Sequence, residues 1–402
     1  MTSPSSRLGA AIVAGALLAT APLTASSAAT THLTEERGGE AATRTGTDVR
    51  ELRRTLNAIH EAGMYGVYSQ ATNGPWHWQG AAGVADTRTH RPVRPDMLHR
   101  AGSTTKTFTA VAVLQQVRHG RIGLDHPIGD YLPDLIAGDR GTQITVRMLL
   151  NHTSHIANYT DTLFPTLEHL DEYRFHSFTP QELVRRGLEA PASGQPGALP
   201  GRYSNTGYII LGLLLEKVTG VRAERYITDH VIHKAGLRHT FFPRTPHLTG
   251  PHSRAYESAG GALDPPKDYS VYDMSWLWTA GALVSTMDDL NRFYRLLLRG
   301  ELLDPALLAE MKQTVPIMDG ALPRQYGLGL FHERLACDFW GHDGRVLGME
   351  TASWSTPDGA RQVSFGYNRS GYPFLTGTGE LNPIIVAGLE HLSTAVCGTA
   401  AS

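Results

Sequence analysis

Three short stretches of the chain hold side chains able to perform acyl transfer. Ser103-Thr-Thr-Lys106 sets a hydroxyl and an amine three positions apart. On a helix those positions share a face, with Cβ atoms about 5–6 Å apart, so the amine can reach the hydroxyl. A serine hydroxyl is a poor nucleophile at neutral pH and needs a neighbouring base to take its proton. Tyr203-Ser-Asn205 adds a phenol, with a reference pKa near 10. A nearby ammonium favours the phenolate, which makes Tyr203 a second candidate base. Asn205 offers an amide donor and acceptor suited to holding an acyl side chain. Gly341-His342-Asp343-Gly344 reads as a turn leading into or along a strand, where small residues let a ligand approach backbone N–H groups.

Each stretch also has a plainer reading. Ser and Lys three apart recur by chance, Ser204 or Asn205 can merely cap the helix that follows, and 341–344 can be a simple turn. Gly102 to Thr107 faintly resembles a phosphate-binding loop but lacks its second glycine. His152 and His155, without a carboxylate partner or a second histidine element, are weak zinc ligands. No metal and no cofactor are expected.

These groups must be positioned by surrounding elements. Val49, Leu52, Leu56 and Ile59 recur at helical spacing between Asp48 and about His60. Strands are expected from Gly66 and from Trp76, joined by a turn at Thr72-Asn-Gly-Pro. Ser103 to His119 predicts a mostly buried helix stopped by Gly120, with the serine at its N-terminal end. Helices are expected near 145–151, 179–189, 205–219 and 286–299. Strands return at Tyr326-Gly-Leu-Gly-Leu-Phe331, at 350–355 and at 362–368. Strands from both ends with helices between them imply an α/β (α+β) domain, 48–119 with 271–400, carrying a mainly helical domain at 120–270.

The 402 residues carry 36 Lys and Arg against 38 Asp and Glu, so no basic face for a nucleic-acid partner is indicated. Arg7, the apolar stretch Leu8 to Leu23 and the small residues 25–29 read as a secretory signal peptide, residues 1–29. A transmembrane anchor is the alternative, disfavoured by the short, Pro22-interrupted run. Residues 30–47 read as a flexible leader, and a secreted monomer is the expectation. In an exported chain the two cysteines, Cys337 and Cys397, favour a disulfide, with two buried thiols as the alternative.

The order Ser-x-x-Lys, Tyr-x-Asn, His-x-Gly resembles the pattern of the penicillin-recognising serine hydrolases. Flanking text agrees, including Leu149-Leu-Asn-His-Thr-Ser154 and Ser275-Trp276 ahead of Ala280-Gly-Ala-Leu-Val-Ser-Thr286. In detail, from about residue 50 to the C-terminus, the chain is similar to the secreted D-alanyl-D-alanine carboxypeptidases of the class C β-lactamase-like group. The resemblance implies an antiparallel sheet flanked by helices, a mainly helical second domain and a cleft between them. It implies acylation of Ser103 by a D-alanyl peptide or a β-lactam, with Lys106 and Tyr203 relaying protons and Asn205 binding the substrate amide. His342 would support the Tyr203 hydrogen-bond network, Trp276 would line the cleft, and the N–H groups of Ser103 and Arg345 would form an oxyanion hole. The cysteines have bonded counterparts in that family.

Departures bear on specificity. The usual third motif is His-Thr-Gly-Thr, whose hydroxyls help hold a terminal carboxylate; here Asp343 and Arg345 flank Gly344. Phe331 stands where the family has a carboxylate-gripping arginine, and His155 replaces a glycine. Asp343 disfavours a carboxylate unless Arg345 offsets or pairs with it. The expectation is a D-alanyl-D-alanine carboxypeptidase-like, penicillin-binding hydrolase, weak on free carboxylates. A D-aminopeptidase, D-amidase or esterase of the same family is the alternative, and an inactive penicillin-binding module a more distant one. A class C β-lactamase would show Lys-Thr-Gly as the third motif.

Overall fold

The computed structural model describes residues 48–398. The signal-peptide and leader readings fall on residues 1–47, outside the described residues.

Ten strands form one sheet: β1 (Gly66–Asn73), β2 (Trp76–Asp86), β3 (Arg91–Pro92), β4 (Gly201–Arg202), β5 (Val315–Asp319), β6 (Leu322–Tyr326), β7 (Phe331–Arg334), β8 (Asp338–Val346), β9 (Met349–Ser355) and β10 (Arg361–Tyr367). Their spatial order is β3-β2-β1-β10-β9-β8-β7-β6-β5-β4. Every neighbouring pair is antiparallel except β4 with β5. The N-terminal hairpin thus pairs with a C-terminal strand, Val67 opposite Tyr367, so the two ends of the chain build one sheet.

Helix α1 (Val49–Glu61) and helix α5 (Pro383–Cys397) cover one face, as the apolar spacing of α1 requires. Leu52, Leu56 and Ile59 pack there with Ile384, Ile385, Leu392 and Val396. Cys337, in the turn before β8, is bonded to Cys397 at the end of α5. The other face receives α4 (Met287–Leu298); α2 (Thr105–Arg118) packs on it with Phe108 stacked on Phe293, and α3 (Asn205–Thr219) packs on α2. In α2, Thr105 through Gln116 are all buried, although Thr105, Lys106, Thr107, Thr109, Gln115 and Gln116 are polar. Its threonines bond neighbouring chain: Thr107 donates to the Gly329 carbonyl at 2.8 Å and Thr109 to that of Thr279 at 2.8 Å. Among the described residues no helix is long and apolar enough to cross a membrane.

Three expectations change. The strand foreseen across Tyr326 to Phe331 is instead the tight connection between β6 and β7. Gly329 turns there with φ +87°, and a Cβ on it would stand 2.5 Å from that of Ala110. The 341–344 stretch lies inside β8 rather than in a turn. The β5–β6 hairpin and α5 were not foreseen, because Val-Pro-Ile-Met-Asp and Leu-Pro-Arg-Gln-Tyr carry prolines that disguise a strand.

Candidate active site

Ser103 sits in one 3₁₀ turn, Gly102–Thr104, that leads directly into α2. The turn needs its glycine. Gly102 has φ +57°, and a Cβ there would stand 2.7 Å from the Arg345 nitrogen. From the other side, a Cβ on Gly344 would stand 2.0 Å from the Ala101 carbonyl oxygen and 3.0 Å from the Ser103 nitrogen. Strand β8 therefore presses bare backbone against the nucleophile turn. Gly344 serves that close approach, and the amides of Ser103 and Arg345 are brought together where an oxyanion could form.

One turn along, the Lys106 amine lies 3.0 Å from Ser103 Oγ, 2.6 Å from Asn205 Oδ1 and 2.8 Å from the Ala280 carbonyl. Asn205 heads α3 with its side chain turned to the lysine, and the Ser204 hydroxyl makes no cap bond, so the capping alternative fails. Burial pushes Lys106 well below its ordinary value, with the Asp319 and Asp343 carboxylates opposing. Burial pushes Tyr203 well above the usual phenol range, and the Asp319 charge adds to it. The sequence reading of a phenolate base is thus corrected: desolvation favours a neutral amine beside a neutral phenol. The Tyr203 hydroxyl and Asn205 Nδ2 are buried without a hydrogen-bond partner among the described residues. The Ser103 hydroxyl nonetheless lies close enough to Tyr203 to favour its phenolate slightly.

The remaining candidates are redistributed. His342 makes no hydrogen bond to Tyr203. Its Nδ1–H donates to the Asp343 carbonyl and its Nε2 accepts from the Tyr326 hydroxyl at 3.0 Å, while its ring meets Tyr203 edge-on. Trp276 does not line the cleft; it is buried edge-on against Phe164, and its carbonyl takes the Tyr159 hydroxyl. Asp343 and Arg345 are not paired. Asp343 is buried 2.8 Å from Nη1 of Arg324, while Arg345 stands 3.8 Å from Glu257 and 3.7 Å from Glu350.

Arg324 went unrecognised in the sequence. Its guanidinium lies 3.4 Å over the Phe331 ring and is shared by Asp319 at 3.0 Å, Glu333 at 2.7 Å and Asp343 at 2.8 Å. Four charged residues from four strands, β5 to β8, meet there, and no local spacing announces it. Burial pushes Asp319, Glu333 and Asp343 above the usual carboxylate range, with Arg324 opposing. Asp319 also faces a cavity of about 1070 Å³ whose wall includes Tyr203, Asn158, Arg345, Glu350 and Phe374. Among the described residues no group of three or more His, Cys, Asp and Glu side chains is placed to hold a metal. His155 instead bonds Ser193 Oγ at 3.1 Å and the Ala198 carbonyl at 2.9 Å, tying down its own loop.

Known proteins resemble the whole arrangement. A D-stereospecific amidohydrolase from Streptomyces sp. superposes with a TM-score of 0.76 at 33% identity, over 88% of this chain and 100% of that one. A D-amino acid amidase from Ochrobactrum anthropi SV3 gives 0.73 at 25% identity, over 86% and 97%. Among curated relatives, a putative penicillin-binding protein of Bacillus subtilis is 26% identical over 62% of this chain and 59% of its own length. The esterase EstB of Burkholderia gladioli is 30% identical over 45% of this chain and 48% of its own. The chain thus spans roughly half to three fifths of these two curated relatives. The profile of the Beta-lactamase family matches residues 50–381, and that span takes in every element that meets at Ser103. The chain therefore belongs to the Beta-lactamase family and is a serine hydrolase.

Proposed function

We propose that the protein hydrolyses amides of D-amino acids and short D-peptides through an acyl-enzyme on Ser103, favouring neutral leaving groups over a C-terminal D-alanine. Ser103 Oγ attacks the carbonyl as its proton passes to the neutral Lys106 amine. The Ser103 and Arg345 amides hold the oxyanion. Collapse breaks the C–N bond; the amine leaves with a proton handed on by the Tyr203 hydroxyl, which Lys106 resupplies. Water then releases the acid by the same route. A general base of this kind contributes about 10²–10⁴-fold.

The observation that carries the leaving-group preference is the Arg324 cluster. A carboxypeptidase needs a cation for the terminal carboxylate. Here the guanidinium beside Phe331 already meets three carboxylates, and Arg345 stands between two more. The amidase and amidohydrolase names of the structural relatives support the D-amide reading. Acylation by β-lactams follows from the same chemistry, and export from the cell is proposed from the leader sequence. The test compares kcat/KM for one acyl group bearing D-alaninamide or D-alanine. A preference for the amide is expected, and a preference for the free carboxylate would restore the carboxypeptidase reading.

A further inference from the structure

His152 stands just past a short helix, Val146–Leu150, in a turn with φ +63°, a backbone region that non-glycine residues seldom enter. It is buried, and both of its hydrogen-bonding acceptors point at the segment carrying Tyr203. Its carbonyl accepts from the Arg202 N–H at 2.9 Å, and its Nδ1 accepts from the Ser204 N–H at 3.2 Å. One residue thus accepts from the N–H groups of the residues before and after Tyr203, while the Tyr203 N–H itself goes to the Met318 carbonyl at 3.0 Å. The approach is so tight that a Cβ at Gly201 would stand 2.6 Å from the His152 oxygen. The His152 ring also lies 4.2 Å from the Tyr203 ring, centroid to centroid, and 4.6 Å from that of Tyr326.

A backbone N–H can only donate, so Nδ1 must be the unprotonated nitrogen and the ring proton must sit on Nε2. Nε2 is buried with no hydrogen-bond partner among the described residues. A buried donor left unsatisfied is costly, and a left-handed backbone adds strain; such features persist where the surroundings enforce them. A hydrophobic residue would fill the same space without that cost but would leave the Ser204 N–H unbonded.

We propose that His152 is a positioning residue for the acyl-transfer reaction: it fixes the Tyr203 hydroxyl beside Ser103 by accepting from the Arg202 and Ser204 N–H groups and packing against the phenol ring. This rests on the proton-handling role proposed for Tyr203. Displacement of a reacting group by about 1 Å costs on the order of a hundredfold in rate.

The test uses two substitutions with different acceptor geometry. His152→Asn puts its side-chain oxygen near the Nδ1 position, and asparagine tolerates the left-handed backbone. His152→Gln keeps the bulk but sets its oxygen near Nε2. Acylation by a fluorescent penicillin is followed for each, alone and combined with Tyr203→Phe, with thermal melting to confirm folding. His152→Gln should slow acylation by roughly 10–100-fold, His152→Asn should recover most of that rate, and initial binding should change little. In the Tyr203→Phe background His152→Gln should cost less than about twofold, because groups acting as a unit are not additive. Should His152→Gln fail to fold, His152→Ala takes its place in the cycle. Equal losses in both backgrounds, or Asn no better than Gln, would overturn the proposal. If Tyr203→Phe alone leaves acylation intact, it is the Tyr203 role that fails.

Discussion

The Lys106 amine lies 3.0 Å from the Ser103 hydroxyl, and its two other partners, Asn205 Oδ1 and the Ala280 carbonyl, can only accept hydrogen bonds. A neutral amine has two N–H donors and one lone pair. An ammonium would donate to all three partners, whereas the neutral amine donates to the two acceptors and turns its lone pair to the serine proton. Burial favours the neutral form, so desolvation decides between the two.

Ser103→Ala should abolish covalent labelling by β-lactams and nearly all ester and amide hydrolysis, because no other hydroxyl is bonded to a buried amine among the described residues. Intact-mass and peptide mapping of the labelled protein check this. An adduct on any other residue would refute the assignment.

The pH dependence follows from the shifted groups. Lys106 must be neutral to accept a proton, so activity should rise with pH through its depressed pKa, at lower pH than an ordinary lysine would allow. The Asp319 charge raises both Lys106 and Tyr203. Burial pushes the Asp319 carboxyl up to about 7, so its charge acts mainly above that pH. Asp319→Asn should therefore move the alkaline limb of the kcat/KM profile to lower pH, and an alkaline limb that stays put or moves upward would show that Asp319 does not act on Tyr203.

Arg324→Met leaves three buried carboxylates without their shared cation. Removing one partner from a buried ionic cluster costs about 3–5 kcal/mol. The carboxyl groups are already raised in the folded state, and losing Arg324 raises them further. The variant's stability should then be greatest at acid pH, where they are protonated, and fall as pH rises through their folded-state values. Urea melts of wild type and variant near pH 5 and pH 8 test this; a deficit independent of pH would argue against charge as its cause.

Reducing Cys337–Cys397 opens a loop with a sequence separation of 60 residues. A loss of about 2–4 kcal/mol is expected from the loop-entropy argument. The bond ties α5 to the turn before β8, on the face opposite α2, so acylation measured below the melting transition should be unchanged. A slowed acylation step in folded, reduced protein would show that the bond positions Ile385, which α5 contributes to the cavity wall shared with Tyr203.

The nucleophile helix, the Tyr-x-Asn segment opening α3 and the pairing of N-terminal with C-terminal strands were legible in the sequence. Helical periodicity and motif spacing are local properties that one stretch of chain carries by itself. The proton affinities of Lys106 and Tyr203 were not legible, because the lysine is pushed down and the phenol up only when neighbouring elements strip away their water. Nor was the company kept by Asp343. Its neighbour in sequence, Arg345, turns to Glu257 and Glu350, while its true partner, Arg324, comes from a proline-containing strand that gave no strand signal. His152 shows the same limit: its sequence context made it only a weak zinc ligand, and the turn that carries it against Arg202 and Ser204, on both sides of Tyr203, is a tertiary contact. Residue types and local spacing picked out the candidate reactive groups; burial and pairing across distant strands, which depend on the whole chain being folded, decided what surrounds them and the direction in which their pKa values shift.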